Sequence, residues 1–302
     1  MFAVPKIRIG KPICHESLTV FPLFSELQPH VDYLLSDEAL QQGTVTIQEV
    51  SEGGSVPELL VENTGELRVL FIEGEELVGA KQNRILNTSI LLPAQSKTKI
   101  PVSCVESGRW RYTSRLFSSG GRHTSSKLRH ALKSSVTGSL ASGGGHRSDQ
   151  HKVWEEVGKQ QALMGISSAT LAMSDSFDAM KGQIDDYSEK FPHPDLASGL
   201  AVAIGDKIVA VDVFDDPATC RKVWKRLLSG LILEAIDPNA VKGQVTETAV
   251  EETLQSMQIS SWKKVETVGD GEEYRVDSDK GVQASALAFD NSLVHGSLLT
   301  GA

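Results

Sequence analysis

The sequence predicts an α+β fold: an N-terminal antiparallel, β-sandwich-like part, then a mainly helical part that carries a β-hairpin and ends in strands. Two observations predict it. Residues 1–116 consist of short runs rich in Val, Ile, Leu and Thr, punctuated by Gly, Asn, Ser and Pro, which is the pattern of paired strands. Residues 151 to about 258 instead mostly place apolar side chains at helical spacing, interrupted by one hairpin, and strand patterns return from Trp262. A Ser/Gly-rich, basic stretch lies between, so composition divides the chain into 1–116, 117–150 and 151–302. At 302 residues, 40% of them hydrophobic, the chain can bury ordinary cores in one or two domains.

In chain order, the strand-like runs of the first block are "LTVFPLF" (18–24), "TVTIQEV" (44–50), "ELLVEN" (58–63), "RVLFIEGEEL" (68–77), "RILNTSILL" (84–92) and "KIPVSCVE" (99–106). A helix closed by Gly43 is expected over "PHVDYLLSDEALQQG" (29–43). In the connector, "SSGGRHTSS" and "GSLASGGGHRS" read as flexible loops flanking a short basic helix in "SSKLRHALKSSV". That segment is a lid over a site or a plain linker. One helix is expected through "SDSFDAMKGQIDDYSEKF", stopped by Pro192 and Pro194. "LAVAIGDKIVAVDVF" reads as a hairpin across Gly205-Asp206. The next helix has Asp216 as N-cap and Pro217 in its first turn. It buries Cys220, Val223, Trp224, Leu227, Leu228 and Leu231 on one stripe. "WKKVETV", "EYRVDSD", "QASALAF" and "LVHGSLL" are the closing strands.

Bulk properties narrow the function classes. Cys14, Cys104 and Cys220 are few and far apart, which argues against a disulfide framework and fits a reducing compartment. The first residues, interrupted by Pro5, Lys6, Arg8, Lys11 and Pro12, lack a secretory-leader pattern. The longest apolar run, 227–236, is short of the ~20 residues that span a bilayer, so a cytoplasmic protein without a membrane partner is expected. No His-x-His or Cys-x-x-Cys pair suggests a metal, no Walker or dinucleotide-fold loop is present, and no cofactor is named. Net charge is −9, yet nine basic residues between Arg109 and Lys152 face one acid, Asp149. Such a segment serves an anionic ligand, an acidic surface on another subunit, or pairing within the chain. Nucleic acid is disfavoured, because the chain is acidic and the basic stretch poor in aromatics.

The densest polar stretch is "GEELVGAKQNRILNTSILLPAQSKTKIPVSCVESGRW" (74–110). A turn at Gly79-Ala80 between two strands gathers Glu75, Lys81, Gln82, Asn83, Arg84 and Asn87 at one end of a sheet. Arg84 suits a bidentate grip on phosphate, with Lys81 and Arg109 adding charge. Gln82, Asn83 and Asn87 suit hydroxyls or a base. Glu75 and Glu106 are the candidate acid/base groups, with Glu76 an alternative to Glu75 where burial raises its pKa. The structural reading stands beside this one: Arg84 pairs with Glu75 or Glu106, and the amides cap strand ends. Cys104 lacks a paired base and reads as a structural thiol. Trp110 reads as core packing or a stacking surface.

Residues 70–110, followed by "GLAVAIGDKIVAVDVFDDPATCRKVWKRLL" (199–228), resemble the ARG-and-rhodanese-phosphatase-superfamily-associated protein domain family, ARG denoting ADP-ribosylglycohydrolase. The resemblance implies a setting of nucleotide, NAD or ADP-ribose processing in a prokaryotic stress or conflict system, and carries no established reaction. The expectation is an enzyme or sensor that recognises a small nucleotide-like anion, such as ADP-ribose or an NAD derivative. The alternative is a non-catalytic module that assembles as a homo-oligomer or with a partner, its polar block being structural.

Overall fold

Strand signals in the first block become β1 (Ile7–Ile9), β2 (Ile13–His15), β3 (Leu18–Ser25) and β4 (Tyr33–Leu35), then α1 (Ser36–Gln42). After them come β5 (Val45–Glu49), β6 (Glu58–Asn63), β7 (Arg68–Phe71), β8 (Glu75–Gly79), β9 (Arg84–Leu86), β10 (Ile90–Leu92) and β11 (Ser96–Cys104). The computed structural model describes residues 4–26, 31–237, 240, 243–277 and 281–301. Helix α1 is shorter than the 29–43 expectation because residues 33–35 pair with β7 instead. The expected helix start at 29–30, like the last residues of "EYRVDSD", lies outside the described residues. Runs 68–77 and 84–92 each split in two, the first at a turn closed by the Glu75 N–H on the Ile72 carbonyl.

The second half supplies β12 (Phe117–His123), α2 (Ser126–Ala141), α3 (Gln150–Leu163), α4 (Met173–Ala179) and α5 (Lys181–Ser188). Then follow β13 (Gly199–Ile204), β14 (Lys207–Phe214), α6 (Pro217–Ala235), α7 (Glu247–Ile259), β15 (Lys263–Val265), β16 (Glu272–Asp277), β17 (Val282–Phe289) and β18 (Ser292–Thr300). The hairpin turns between Ile204 and Lys207. Asp216 caps α6 by accepting the Ala218 N–H, with Pro217 leading the helix. The expected 174–191 helix is two short ones meeting at Met180. Composition misleads most at 117–123: the Ser/Gly run is not a loop but β12, held by pairing with β8.

Among the described residues three sheets form, antiparallel except where β4 runs beside β7. The largest orders its strands β1-β3-β13-β14-β18-β17-β16-β15, with β2 beside β3. The second is β12-β8-β9-β11-β6-β5 and the third β10-β7-β4. Strands from the first 25 residues therefore share a sheet with the hairpin and the closing strands, and no sheet ends at the compositional step near 116. Period-two alternation sends Leu200, Val202 and Ala210 into a core with α2 and α6. Their neighbours Ala201, Val211 and Val213 enter a second core under α7. Ile47, Val61, Phe71, Leu86 and Ile100 build a third core between the two smaller sheets, the sandwich-like part. Among the described residues no helix is long and apolar enough to cross a membrane.

The inner face of the large sheet carries a polar ladder. Asp212, Ser297, Ser285 and Arg275 stand in cross-strand register on β14, β18, β17 and β16, all buried. Helix α2 lays two cations on it. Arg129 donates to both Asp212 oxygens at 2.8 and 2.7 Å. Lys133 Nζ donates to Glu73 Oε2 at 2.8 Å, to Ser297 Oγ at 2.8 Å and to Ser285 Oγ. Arg275 donates to Glu273 at 2.6 Å. The basic segment thus turns largely inward: Arg109, Arg122, Lys127, Arg129 and Lys133 pair with acids of the same chain. Arg111, Arg115, Arg147 and Lys152 stay exposed.

Candidate functional site

The β8–β9 connection is short, so Lys81, Gln82, Asn83 and Arg84 follow one another into the interior and all four are buried. Two groupings result. In the first, Glu106 anchors a brace. Arg109 donates to its carboxylate from Nε and Nη2 at 2.7 and 2.6 Å. The Asn83 N–H and the Thr170 hydroxyl donate to it at 3.1 and 3.0 Å. Gln82 Nε2 donates to the Glu106 carbonyl at 2.9 Å, and Arg109 also reaches the Ala80 carbonyl at 2.7 Å. Burial alone would raise the Glu106 pKa, but the hydrogen bonds from Arg109, Asn83 and Thr170 outweigh it and hold the carboxyl below its ordinary range. Its acceptor sites are taken, which suits a brace better than a proton carrier. Arg109→Lys, which keeps the charge but loses the fork, is expected to lower stability by about 1–2 kcal/mol in urea unfolding. An unchanged midpoint would show that the brace does not need the bidentate pair.

The second grouping is a corner around Arg84. This side chain shares a sheet face with its register partners Leu77 and Cys104. Nη1 donates to Gln82 Oε1 at 3.0 Å and to the Asn83 carbonyl at 3.4 Å. Nε and Nη2 have no hydrogen-bond acceptor among the described residues, although Arg84 is wholly buried. The nearest carboxylate oxygen, Glu49 Oε1, is 3.9 Å from Nη2, and Glu49 Oε2 has no donor. Burial pushes the Arg84 pKa down. Two rings complete the corner. Trp110 stands 5.8 Å from the Arg84 guanidinium carbon, and Lys81 Nζ lies 5.2 Å from the Trp110 ring and 5.1 Å from that of Tyr112. Trp110 and Tyr112 are 48% and 47% exposed. Lys81 is steered there by donating to the Gly53 carbonyl at 2.7 Å. Gly54, at φ +77°, is required beside it: a Cβ would lie 3.2–3.3 Å from Lys81, Glu49 and Trp110 at once.

The other expected site residues lie elsewhere. Asn87 bridges the His146 carbonyl and the Ser103 hydroxyl inside the protein. Glu75 points away from the corner, accepting from Ser36 at 2.8 Å and pairing with Arg226 at 2.6 Å, and burial raises its pKa. Glu76 is buried, and neither carboxyl oxygen is hydrogen-bonded among the described residues. Cys104 is a buried thiol whose pKa burial raises against the pull of Arg84. Sequence reasoning brings Lys81 and Arg84 to the corner and misses Glu49, Gly54 and Tyr112. The alternation of Arg and aromatic residues in "RWRY" is a signal for Tyr112, whereas Glu49, at the end of a distant strand, has none.

No curated protein and no protein of solved structure matches the chain. The family model of the ARG and Rhodanese-Phosphatase-superfamily-associated Protein domain, ARPP-1, matches residues 6–299, nearly the whole chain, which places it in that family.

Proposed function

We propose that the protein recognises a small nucleotide-like anion, such as ADP-ribose or an NAD derivative, at the corner formed by Lys81, Arg84, Trp110 and Tyr112. One observation carries the reading: a wholly buried guanidinium keeps two nitrogens without an acceptor among the described residues, 5.8 Å from the half-exposed Trp110 ring, while Lys81 lies between that ring and Tyr112. Leaving buried donors unmatched is costly, and the fork of Arg84 matches two phosphate oxygens. A shift of Trp110 admits them. The rings then offer stacking faces to a base, and exposed Arg111 and Arg115 strengthen the local positive field. Glu75 and Glu106 are engaged elsewhere and the acid at this corner, Glu49, stands 3.9 Å from the Arg84 guanidinium; the reading is recognition, with no reaction assigned.

A thermal-shift titration with ADP-ribose, NAD, AMP and inorganic phosphate tests it. A ligand at ~100 times its Kd stabilises by about 2.7 kcal/mol, which for a chain of this size raises the midpoint by roughly 5 °C or more. The shift is expected with wild type, absent in Arg84→Lys and reduced in Trp110→Ala. No shift with any of the four, or an undiminished one in folded Arg84→Lys, would overturn the assignment.

A further inference from the structure

Glu76 pairs in register with Ile85, one residue before which Arg84 turns to the other face, so the two side chains leave the β8–β9 hairpin on opposite sides. Behind Glu76, β12 breaks register between Ser119 and His123. Bulges of this kind often re-aim side chains beside functional sites. The displaced residues, Gly120 and Arg122, form one wall of a cleft of about 470 Å³, closed by Phe177 and Asp178 on one side and by Lys225 and Ser229 of α6 on the other.

The Glu76 carboxyl sits directly against that wall. A Cβ on Gly120 would lie 2.7 Å from Oε2, so Gly120, which lines the cleft, packs directly on the acid and leaves no room for a side chain between them. Glu76 is 1% exposed, and neither of its oxygens has a hydrogen-bond partner among the described residues. Its nearest cation is Arg122, at 3.6 Å, but that guanidinium donates elsewhere: to the Ser174 carbonyl at 2.9 Å, Asp178 at 3.0 Å and the Gly120 carbonyl at 3.2 Å. The hydroxyl of Ser176, buried on α4, also has no partner among the described residues.

The charges around the cleft nearly cancel. Arg122 pairs with Asp178 and Lys181 with Asp185, Arg226 is occupied by Asp37 and Glu75, and Glu189 opposes Lys225 in sign. Donors and acceptors therefore alternate without a strong net field. That suits a neutral, hydroxyl-rich ligand, whose groups both donate and accept.

We propose that this cleft is a second site, separate from the anion corner, that takes a monosaccharide-sized polyol whose hydroxyls reach Glu76 past Gly120. Burial, opposed by Arg122 but reinforced by the nearby acids Asp178, Glu106 and Asp175, raises the Glu76 pKa to about 8. At neutral pH the group is then a carboxylic acid, with one O–H to give and a carbonyl to receive. A diol satisfies both.

Saturation-transfer NMR with D-ribose and D-glucose, together with ³¹P line broadening of inorganic phosphate, tests the assignment on the full chain. Transfer to sugar protons is expected with wild type and with Arg84→Lys, which alters only the opposite face. It is expected to fall roughly tenfold in Gly120→Val, which fills the passage and removes a hydrogen bond worth about that factor. If Gly120→Val does not fold, Glu76→Met removes the same bonds at similar length. Absence of transfer to either sugar, transfer undiminished in the folded variant, or broadening of phosphate alone would each overturn the proposal.

Discussion

Asp212→Ala is expected to destabilise the protein by about 3–5 kcal/mol and to lower its thermal midpoint by roughly 10 °C. Asp212 and Arg129 are each 1% exposed at the side chain and joined by two short hydrogen bonds. Removing the carboxylate strands a buried guanidinium whose next acid, Glu73, is 4.0 Å away and already bonded to Lys133. It also takes the 3.2 Å partner from His295. The double variant Asp212→Leu/Arg129→Met is expected to lose much less than the sum of the single changes, because most of the cost is the orphaned charge. A pH dependence follows. Burial opposes ionisation of Asp212, but Arg129 and His295 outweigh it and depress the folded pKa below 3.8. The contribution is therefore present above pH ~4 and is lost as pH falls below that, since the unfolded state then binds more protons. A cost under ~1 kcal/mol for Asp212→Ala in urea unfolding at pH 7 would refute this account of the ladder.

That ladder marks the limit of what the sequence makes legible. Strands and the hairpin are readable because their signals are local: Gly205-Asp206 sets a two-residue turn, and Asp216-Pro217 sets a helix start. The α2 helix is readable from Leu128, Leu132 and Val136, yet its charged residues read as a solvent face. Two of them, Arg129 and Lys133, lie one turn apart and face inward. The acids that receive them are 83 and 60 residues away in sequence. A count of charge along the chain therefore registers a basic arm where the fold has a neutralised interior. Polarity within the strands is the trace that remains: Asp212 stands between Ala210 and Phe214 on its face of β14, and Arg275, Ser285 and Ser297 share their faces with buried Glu273, Gln283 and His295. The polar block shows the same limit. Its composition signals that something polar is buried, but whether Glu76 or Arg84 faces a given side depends on strand register, because a one-residue slip turns every side chain to the other face. The corner needs Glu49, the last residue of β5, and Gly54, from the loop after it, neither of which local patterning connects to the block.

Glu76→Gln is expected to stabilise the protein, and by an amount that depends on pH. In the folded state burial holds the Glu76 pKa near 8, against 4.5 for an ordinary glutamate, so folding takes up a proton anywhere between those values. Stability contributed by this group is complete below pH 4.5 and declines as pH rises toward 8, at about 1.4 kcal/mol per pH unit. Glutamine has the shape of the protonated acid and no proton to lose. The variant should therefore match wild type near pH 4.5 and exceed it by up to about 3 kcal/mol at pH 7, roughly 6 °C in midpoint. Paired unfolding curves at pH 5, 6, 7 and 8 measure the divergence. Parallel curves would mean that Glu76 is ionised in the folded protein, with Arg122 as its true partner. Divergence would show that a destabilising acid is maintained behind Gly120, and a residue that lowers stability at neutral pH is expected where a site needs its chemistry. The polyol measurement on Gly120→Val then decides what that chemistry serves.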